Sequence, residues 1–454
     1  MKSLLCRLSL IGLILVLVLG PAVAFAQEAQ IETITLKAFV IGPGPVPITK
    51  ATNLELAAEQ LNKILEDSGA NVRVEVNLEY SELKWGPFAE KFYLDFAAGK
   101  AADIVTMRET GELAEGGFIV PMDEHVKAFW DMHYVDFYAN LWGGATFEGK
   151  IWGIPHDVAP AGVWYRKDAL RALGYTDDEI AGLLPANGDT TLEILARLAK
   201  EAVDAGLVEY GILHRPSKGS NTYARLLEFG VDCYNPETGN LELDKSSLLA
   251  FYQWHKEMVD QGVIPPEPPG WSTIHGTFAE GKTFVTMASH VGTPAEWKAK
   301  YGLSDAAVEN DLGFLPFPPT EEVKATGGEA VSVSDIPLYF VTTQSEHPEL
   351  AMLLIMFATF AEPCALHSSH TARPPYRWAA LYHPLVVEDS YLQRTAPSAR
   401  AVVPVPIHPQ IWSFVERIFE GIKGVEAGVV SPEQALDDLV AWFQAEVPDG
   451  EIIP

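Results

Sequence analysis

Few residues in this chain have the types and spacing for covalent chemistry. Cys364, His367 and His370 follow one another at three-residue intervals with Glu362 just before them. A thiolate, two imidazoles and a carboxylate at that spacing are a zinc-ligand set. Ser368, Ser369 and Arg373 make the same stretch a polar loop after an apolar helix, which suits a structural or ligand-facing role. Ser81-Glu82-Leu83-Lys84 matches Ser-x-x-Lys, but the companion Ser-Asp-Asn and Lys-Thr-Gly are missing. There is no Gly-x-Ser-x-Gly elbow and no His-Glu-x-x-His. The 61 acidic residues leave glycan hydrolysis by paired carboxylates open as an alternative. Binding chemistry is better supplied. Trp152, Trp164 and Tyr165 cluster between Phe147 and Asp168, which suits a passage where a ligand could stack on flat aromatic faces.

The elements that must position such groups read as alternating strands and helices. Ile34–Val40 is an apolar strand. Leu54, Ala58, Leu61 and Leu65 form one helical stripe stopped at Gly69, and Val72–Leu78 alternates as a second strand. This β-α-β start predicts an α/β fold. Gly42-Pro43-Gly44-Pro45-Val46-Pro47 is a stiff loop and no phosphate cradle, because its prolines lack N–H groups. A helix over Phe88–Ala98, a strand over Asp103–Met107, and helices over Leu192–Ala205 and Leu248–Gln261 follow. Two more lie between Pro409 and Phe443, the second capped by Ser431-Pro432-Glu433-Gln434.

Length and charge narrow the class. A chain of 454 residues predicts two lobes. Met1–Ala26 has Lys2 and Arg7, an apolar run from Leu8 to Leu19, and the small-residue ending Ala24-Phe25-Ala26. It reads as a cleaved secretory signal with no lipid-anchor cysteine at the cleavage site. Removing two basic residues from 32 leaves 30 against 61 acids, a mature net charge of −31. Such a surface disfavours nucleic acid and anionic lipid. Met352–Phe360 is apolar but short and reads as a buried helix. Cys233 and Cys364 remain after processing, and spacing leaves open whether they pair.

Gly149-Lys150-Ile151-Trp152-Gly153-Ile154-Pro155, followed by Val163-Trp164-Tyr165-Arg166-Lys167-Asp168, resembles the family 1 extracellular solute-binding proteins of ABC importers, the maltodextrin and sugar type. There the second motif is Tyr-Asn-Lys-Asp, and Arg166 replaces the Asn. Gly99-Lys100-Ala101-Ala102-Asp103-Ile104-Val105 and the turn Leu113 to Asp123 resemble the family again. So do Phe278–Met287, Gly313–Pro318 with Gly327-Gly328, and the helix opening at His347-Pro348.

The resemblance implies a type II-like two-lobed periplasmic binding fold, with two α/β lobes, three crossings and a ligand cleft between them. It places the first lobe at 27–158 and 290–338, the second at 159–289 and 339–454, and the crossings near Asp157, Gly292 and Tyr339. It implies ligand contacts from Arg108, Glu109, Trp152, His156, Asp157, Trp164, Trp271, His290, Arg373, His408 and Trp412. No catalytic residue, metal or cofactor is implied. The expected protein is a periplasmic monomer that captures a sugar or small oligosaccharide and hands it to a membrane-embedded permease. A glycerol phosphate, a polyol or zinc are alternative solutes.

Overall fold

The computed structural model describes residues 31–42 and 48–454. The signal segment and the central part of the Gly-Pro loop lie outside the described residues. The chain opens with β1 (Glu32–Ile41), α1 (Thr49–Asp67) and β2 (Val72–Ser81), and β1 and β2 pair in parallel over their whole length. In α1, Leu54, Ala57, Leu61 and Leu65 are fully or almost fully buried, the face that the spacing predicts. The helix ends at Ser68, and Gly69 follows with φ +73, the left-handed region that glycine enters without Cβ strain. Then come α2 (Trp85–Ala97) and β3 (Ile104–Met107), buried on both faces, and the short α3 (Thr110–Glu115). β4 (Ile154–Pro155) is the last first-lobe strand before the chain crosses at 156–160.

The second lobe is built from β5 (Ala161–Arg166), β6 (Tyr210–Leu213), α4 (Ser220–Leu227), α5 (Lys245–Asp260), β7 (Thr283–His290), β8 (Leu312–Leu315) and β9 (Ser332–Ser334). β5 runs antiparallel to β7, β8 and β9, and β6 is parallel to β7. The chain then returns through 335–337 to β10 (Leu338–Val341), which pairs antiparallel with β3 and β4 in the first sheet. α6 (Pro348–Ala358), almost wholly buried, and α7 (Ala361–Thr371) pack in the first lobe. A third crossing near 401 leads to β11 (Val402–Pro404), parallel to β9, and to α8 (Ile411–Glu426) and α9 (Pro432–Glu446). The first sheet has the order β2-β1-β3-β10-β4, the second β11-β9-β5-β7-β6 with β8 on β5.

These pairings give the expected α/β two-lobed architecture with three crossings, but they correct where two crossings fall. The chain does not return to the first lobe at Gly292. Trp297, Val308 and Leu312 pack with Trp164 and Phe278, and β8 hydrogen-bonds to β5, so residues through 334 stay in the second lobe. Tyr339 lies in a first-lobe strand just past the second crossing, and residues 336–400 belong with the first core. The boundaries 290–338 and 339–454 are therefore replaced by 336–400 for the first lobe's return and by 159–334 and 403–454 for the second. The cause is edge pairing: the Leu312–Leu315 run is as apolar as Leu338–Val341, and only hydrogen bonding to a particular neighbour assigns each to its sheet. Among the described residues no single helix is long and apolar enough to cross a membrane.

Candidate functional site

A cavity of about 890 Å³ opens between the lobes. Its first-lobe wall starts where β3 ends, because the strand's carboxyl edge delivers Arg108 and Glu109 and α3 follows at once. Thr110, Gly111, Glu112, Glu115, Phe118 and Phe147 continue that wall. The second-lobe wall is Arg215, Lys218, Gly219 and Ser220 ahead of α4, and the segment from Pro404 to Trp412 leading into α8. Ser334, Asp335 and Ile336, at the second crossing, form the floor. The ligand edge of both sheets is thus the carboxyl side of strands, where open α/β folds place binding crevices.

Arg108 is held in place before any ligand arrives. Its Nε donates to Glu109 Oε1 at 3.0 Å, its Nη1 pairs with Asp335, and the guanidinium lies 4.7 Å above the Trp85 ring. Opposite, the Arg215 guanidinium sits 5.1 Å over Trp271 and its Nη1 donates to Asn221 Oδ1 at 3.2 Å. Burial lowers its pKa to about 10, so it stays cationic at neutral pH. Its Nε is buried without a partner, a donor free for a ligand hydroxyl or ordered water. Trp412, 38% exposed, presents an open aromatic face at the rim, and His408 stands beside it with its Nδ1 accepting from Gln410 N–H at 3.1 Å. Four carboxylates (Glu109, Glu112, Glu115, Asp335) and three cations line one cavity, a surface rich in donors and acceptors and close to charge balance.

Of the eleven residues expected to contact ligand, the cavity gathers Arg108, Glu109, His408 and Trp412. Trp271 stands just behind the wall, stacked on Arg215 with Nε1 donating to Ser217 Oγ at 2.9 Å. The remaining six do not line the cavity. Trp152 packs against the first core and donates to Phe147 O at 3.0 Å. Trp164 is 1% exposed and donates to His290 O at 3.2 Å, which makes it a core residue. His290 accepts from Gly292 N–H at Nδ1, 3.0 Å away, and burial lowers its pKa to about 3.

His156, Asp157 and Arg373 belong to the crossing. The His156 ring stacks on Tyr339 at 4.0 Å, and burial holds its pKa well below the usual histidine value. Asp157 is fully buried and takes Lys50 Nζ at 2.9 Å and Arg373 Nη1 on Oδ2, with His367 Nε2 3.0 Å from Oδ1. Burial alone would raise this carboxyl, but Arg373, Lys50 and His367 together hold it well below the carboxylate range. His367 Nδ1 lies 2.8 Å from the Thr49 hydroxyl and hydrogen-bonds it as a neutral ring, while Nε2 approaches Asp157 Oδ1 without the alignment of a hydrogen bond. Burial lowers the His367 pKa, which suits that neutral form.

The Cys364 cluster is dispersed by its own helix. Cys364 is buried beside Tyr376, with burial pushing its thiol up to about 12; His367 faces Asp157, and His370 is exposed. Both cysteines are free and buried, Cys364 in the first core and Cys233 in the second. Sequence reasoning missed Arg215, Lys218, Ser220, Asp335, Phe118 and Phe147. Arg215-Pro216 and Gly219-Ser220, a loop pair ahead of a helix, was the available signal for the second-lobe wall.

The sequence profile of the bacterial extracellular solute-binding proteins matches residues 55–363. The fold is similar to the sugar-binding protein MalE of Xanthomonas citri, at 17% identity and a TM-score of 0.72, covering 92% of this chain and 98% of that one. It is also similar to a cyclo/maltodextrin-binding protein in complex with maltotetraose, at 21% identity and 0.68, covering 93% and 99%. A third is MalE of Listeria monocytogenes in complex with maltose, at 17% and 0.68, covering 92% and 98%.

Proposed function

The chain belongs to the bacterial extracellular solute-binding protein family, a family of binding proteins and not of enzymes, and on that premise we propose that it is the sugar receptor of an ABC importer. The observation that carries the reading is the cavity of about 890 Å³ between the lobes. It lies within the roughly 300–1,000 Å³ of small-molecule sites, at a size for an oligosaccharide. Trp412, Phe118 and Phe147 offer apolar faces, and Arg108, Arg215, Glu109, Glu112, Asp335 and His408 offer planar polar groups for hydroxyls. A hydroxyl missing from the ligand would leave one of these groups unpaired, which is how such a site discriminates. The maltose and maltotetraose bound by the similar structures support a maltodextrin as the first ligand to test.

The mechanism is a population shift. Ligand touching both walls favours the closed state by its differential contacts, and the backbone at 156–160, 335–337 and near 401 absorbs the rotation. The mature protein, with its signal removed after Ala26, acts as a periplasmic monomer and delivers its cargo to a membrane-embedded permease. A thermal-shift and calorimetric titration of the mature protein with glucose, maltose and maltotetraose tests this. A saturable rise in Tm with the sugar recovered unchanged is expected. Shortened glycans, or no saturable response to any sugar, would sink it.

A further inference from the structure

Inside the second lobe, behind the cleft wall, three side chains from distant parts of the chain converge. His214 follows β6, His255 lies in α5, and Glu426 is the last residue of α8; they are 4%, 1% and 2% exposed. Glu426 Oε1 lies 2.9 Å from His214 Nε2 and 2.6 Å from His255 Nδ1, and Oε2 lies 3.0 Å from His214 Nε2. One ligand atom from each lies within 4.8 Å of the others. A cavity of about 10 Å³, bordered by His214, His255, Arg225 and Phe419, adjoins them, room for about one water. Solute binding in the cleft makes no use of this cluster.

The hydrogen-bond pattern requires a positive species here. His214 Nδ1 lies 2.8 Å from the carbonyl oxygen of Arg215, which can only accept, so Nδ1 carries a proton. A neutral His214 would then turn a bare Nε2 lone pair toward both oxygens of a carboxylate, a repulsive contact. Either a second proton or a metal ion must stand between them. His255 brings a second ring nitrogen to the same oxygen, while its Nε2 stays buried and unpartnered. Two imidazoles and a carboxylate from separate elements, one ring anchored through its other N–H on a backbone carbonyl, match the donor set and outer-shell support of zinc. Arg225 also borders the cavity; its Nε pairs with Glu228 and its guanidinium lies 4.9 Å over the Trp254 ring.

We propose that the second lobe binds one zinc ion through His214 Nε2, His255 Nδ1 and Glu426, with a water from the adjoining cavity as fourth ligand. Ligands about 2.0–2.1 Å from a tetrahedral ion stand roughly 3.3 Å apart, so the nitrogen–oxygen separations of 2.9 and 2.6 Å must open by about 0.4 and about 0.7 Å. Loading releases protons, because each ligand atom binds the ion through a lone pair. The ion is a structural tie and not cargo: it joins β6, α5 and α8. It also fixes the backbone at Arg215, whose guanidinium lines the cleft, and the helix that carries Trp412.

The test strips the mature protein with a chelator and titrates it with zinc, then with cobalt. One ion per chain retained through gel filtration, proton release on loading, a saturable rise in Tm and a visible d–d band with cobalt are expected. His214→Gln and Glu426→Gln should abolish the retained ion and the band. Because a variant at a buried site can misfold, the cobalt spectrum of the unaltered protein decides by itself. No retained ion and no band would overturn the proposal in favour of a bridging proton, as would full retention in folded His214→Gln. Sugar binding is read separately by calorimetry, so failure of the zinc site and failure of the receptor reading give different results.

Discussion

Asp157→Asn puts the buried ionic cluster at the first crossing to its most direct test. The substitution keeps the side chain's shape but removes the only carboxylate facing Lys50, which is 4% exposed and has no other ion pair among the described residues. Breaking a buried pair by removing one partner costs about 3–5 kcal/mol, because the surviving charge is stranded. Arg373, with a side chain 21% exposed, can turn toward water, so the loss belongs near the lower end, about 3 kcal/mol. For a body of about 150–250 residues that corresponds to a fall in Tm of roughly 6–12 °C.

The stranded lysine, and not the missing aspartate, is the source of the cost, so Asp157→Asn combined with Lys50→Met should be more stable than Asp157→Asn alone. The loss also depends on pH in a definite sense. Burial already lowers the Lys50 pKa and Asp157 opposes that, so in Asp157→Asn it falls further. A lysine whose folded pKa lies below its unfolded value, about 10.4, costs stability while charged, and the cost is relieved as pH rises through the folded pKa. The deficit of Asp157→Asn should therefore shrink as pH rises toward the unfolded lysine value of about 10.4. Urea unfolding followed by tryptophan fluorescence at several pH values measures all three quantities. Single-mutant losses that add to within about 0.5 kcal/mol in the double mutant would refute the reasoning.

The remaining predictions concern the cleft and the thiols. Trp412→Ala should weaken sugar binding about tenfold, roughly 1.4 kcal/mol, with little change in Tm; unchanged calorimetric affinity would remove Trp412 from the site. Gly111 faces the second lobe so closely that a Cβ would stand 2.7 Å from Ile407 Cγ2. Gly111→Val should thus prop the lobes apart, lowering affinity by about tenfold and increasing the radius of gyration in X-ray scattering; a protein that binds and scatters like wild type would count against lobe contact there. Cys233 and Cys364 are both buried with thiols pushed well up by burial. Neither should react with a thiol reagent at about pH 8 in the native protein, and both should be labelled in denaturant, as mass spectrometry would show.

Much of the fold was legible in the sequence because its signals are local. The 4-3-4 spacing of Leu54, Ala58, Leu61 and Leu65 appears as the buried face of α1. Ser431 caps α9, accepting from Gln434 N–H at 3.2 Å. Gly69, Gly99, Gly206 and Gly262 all follow helices with positive φ. Each of these depends on residues within about one or two helical turns, so the string of letters carries the information.

The site was only partly legible. Arg108 and Glu109 followed from the end of β3, and Trp412 and His408 from the start of α8. Asp157, His156 and Arg373 have the residue types of a sugar site, yet Asp157 and Arg373 are spent on one another and His156 stacks on Tyr339, because the first crossing carries Asp157 into contact with α1 and the end of α7. Trp164 went to the core because β8 pairs with β5 and brings Phe314 to 5.0 Å from its ring. Arg215 and Asp335, 120 residues apart in the chain, share one cavity only because β6 and β9 lie in one sheet. What the sequence by itself determined was the elements, their ends and the two-lobed class. The tertiary structure decided which sheet each apolar run joined, and so which polar side chains face the cleft and which neutralise each other beneath it. Strand pairing rewards contacts between residues far apart in the chain, and no local pattern distinguishes one apolar partner from another.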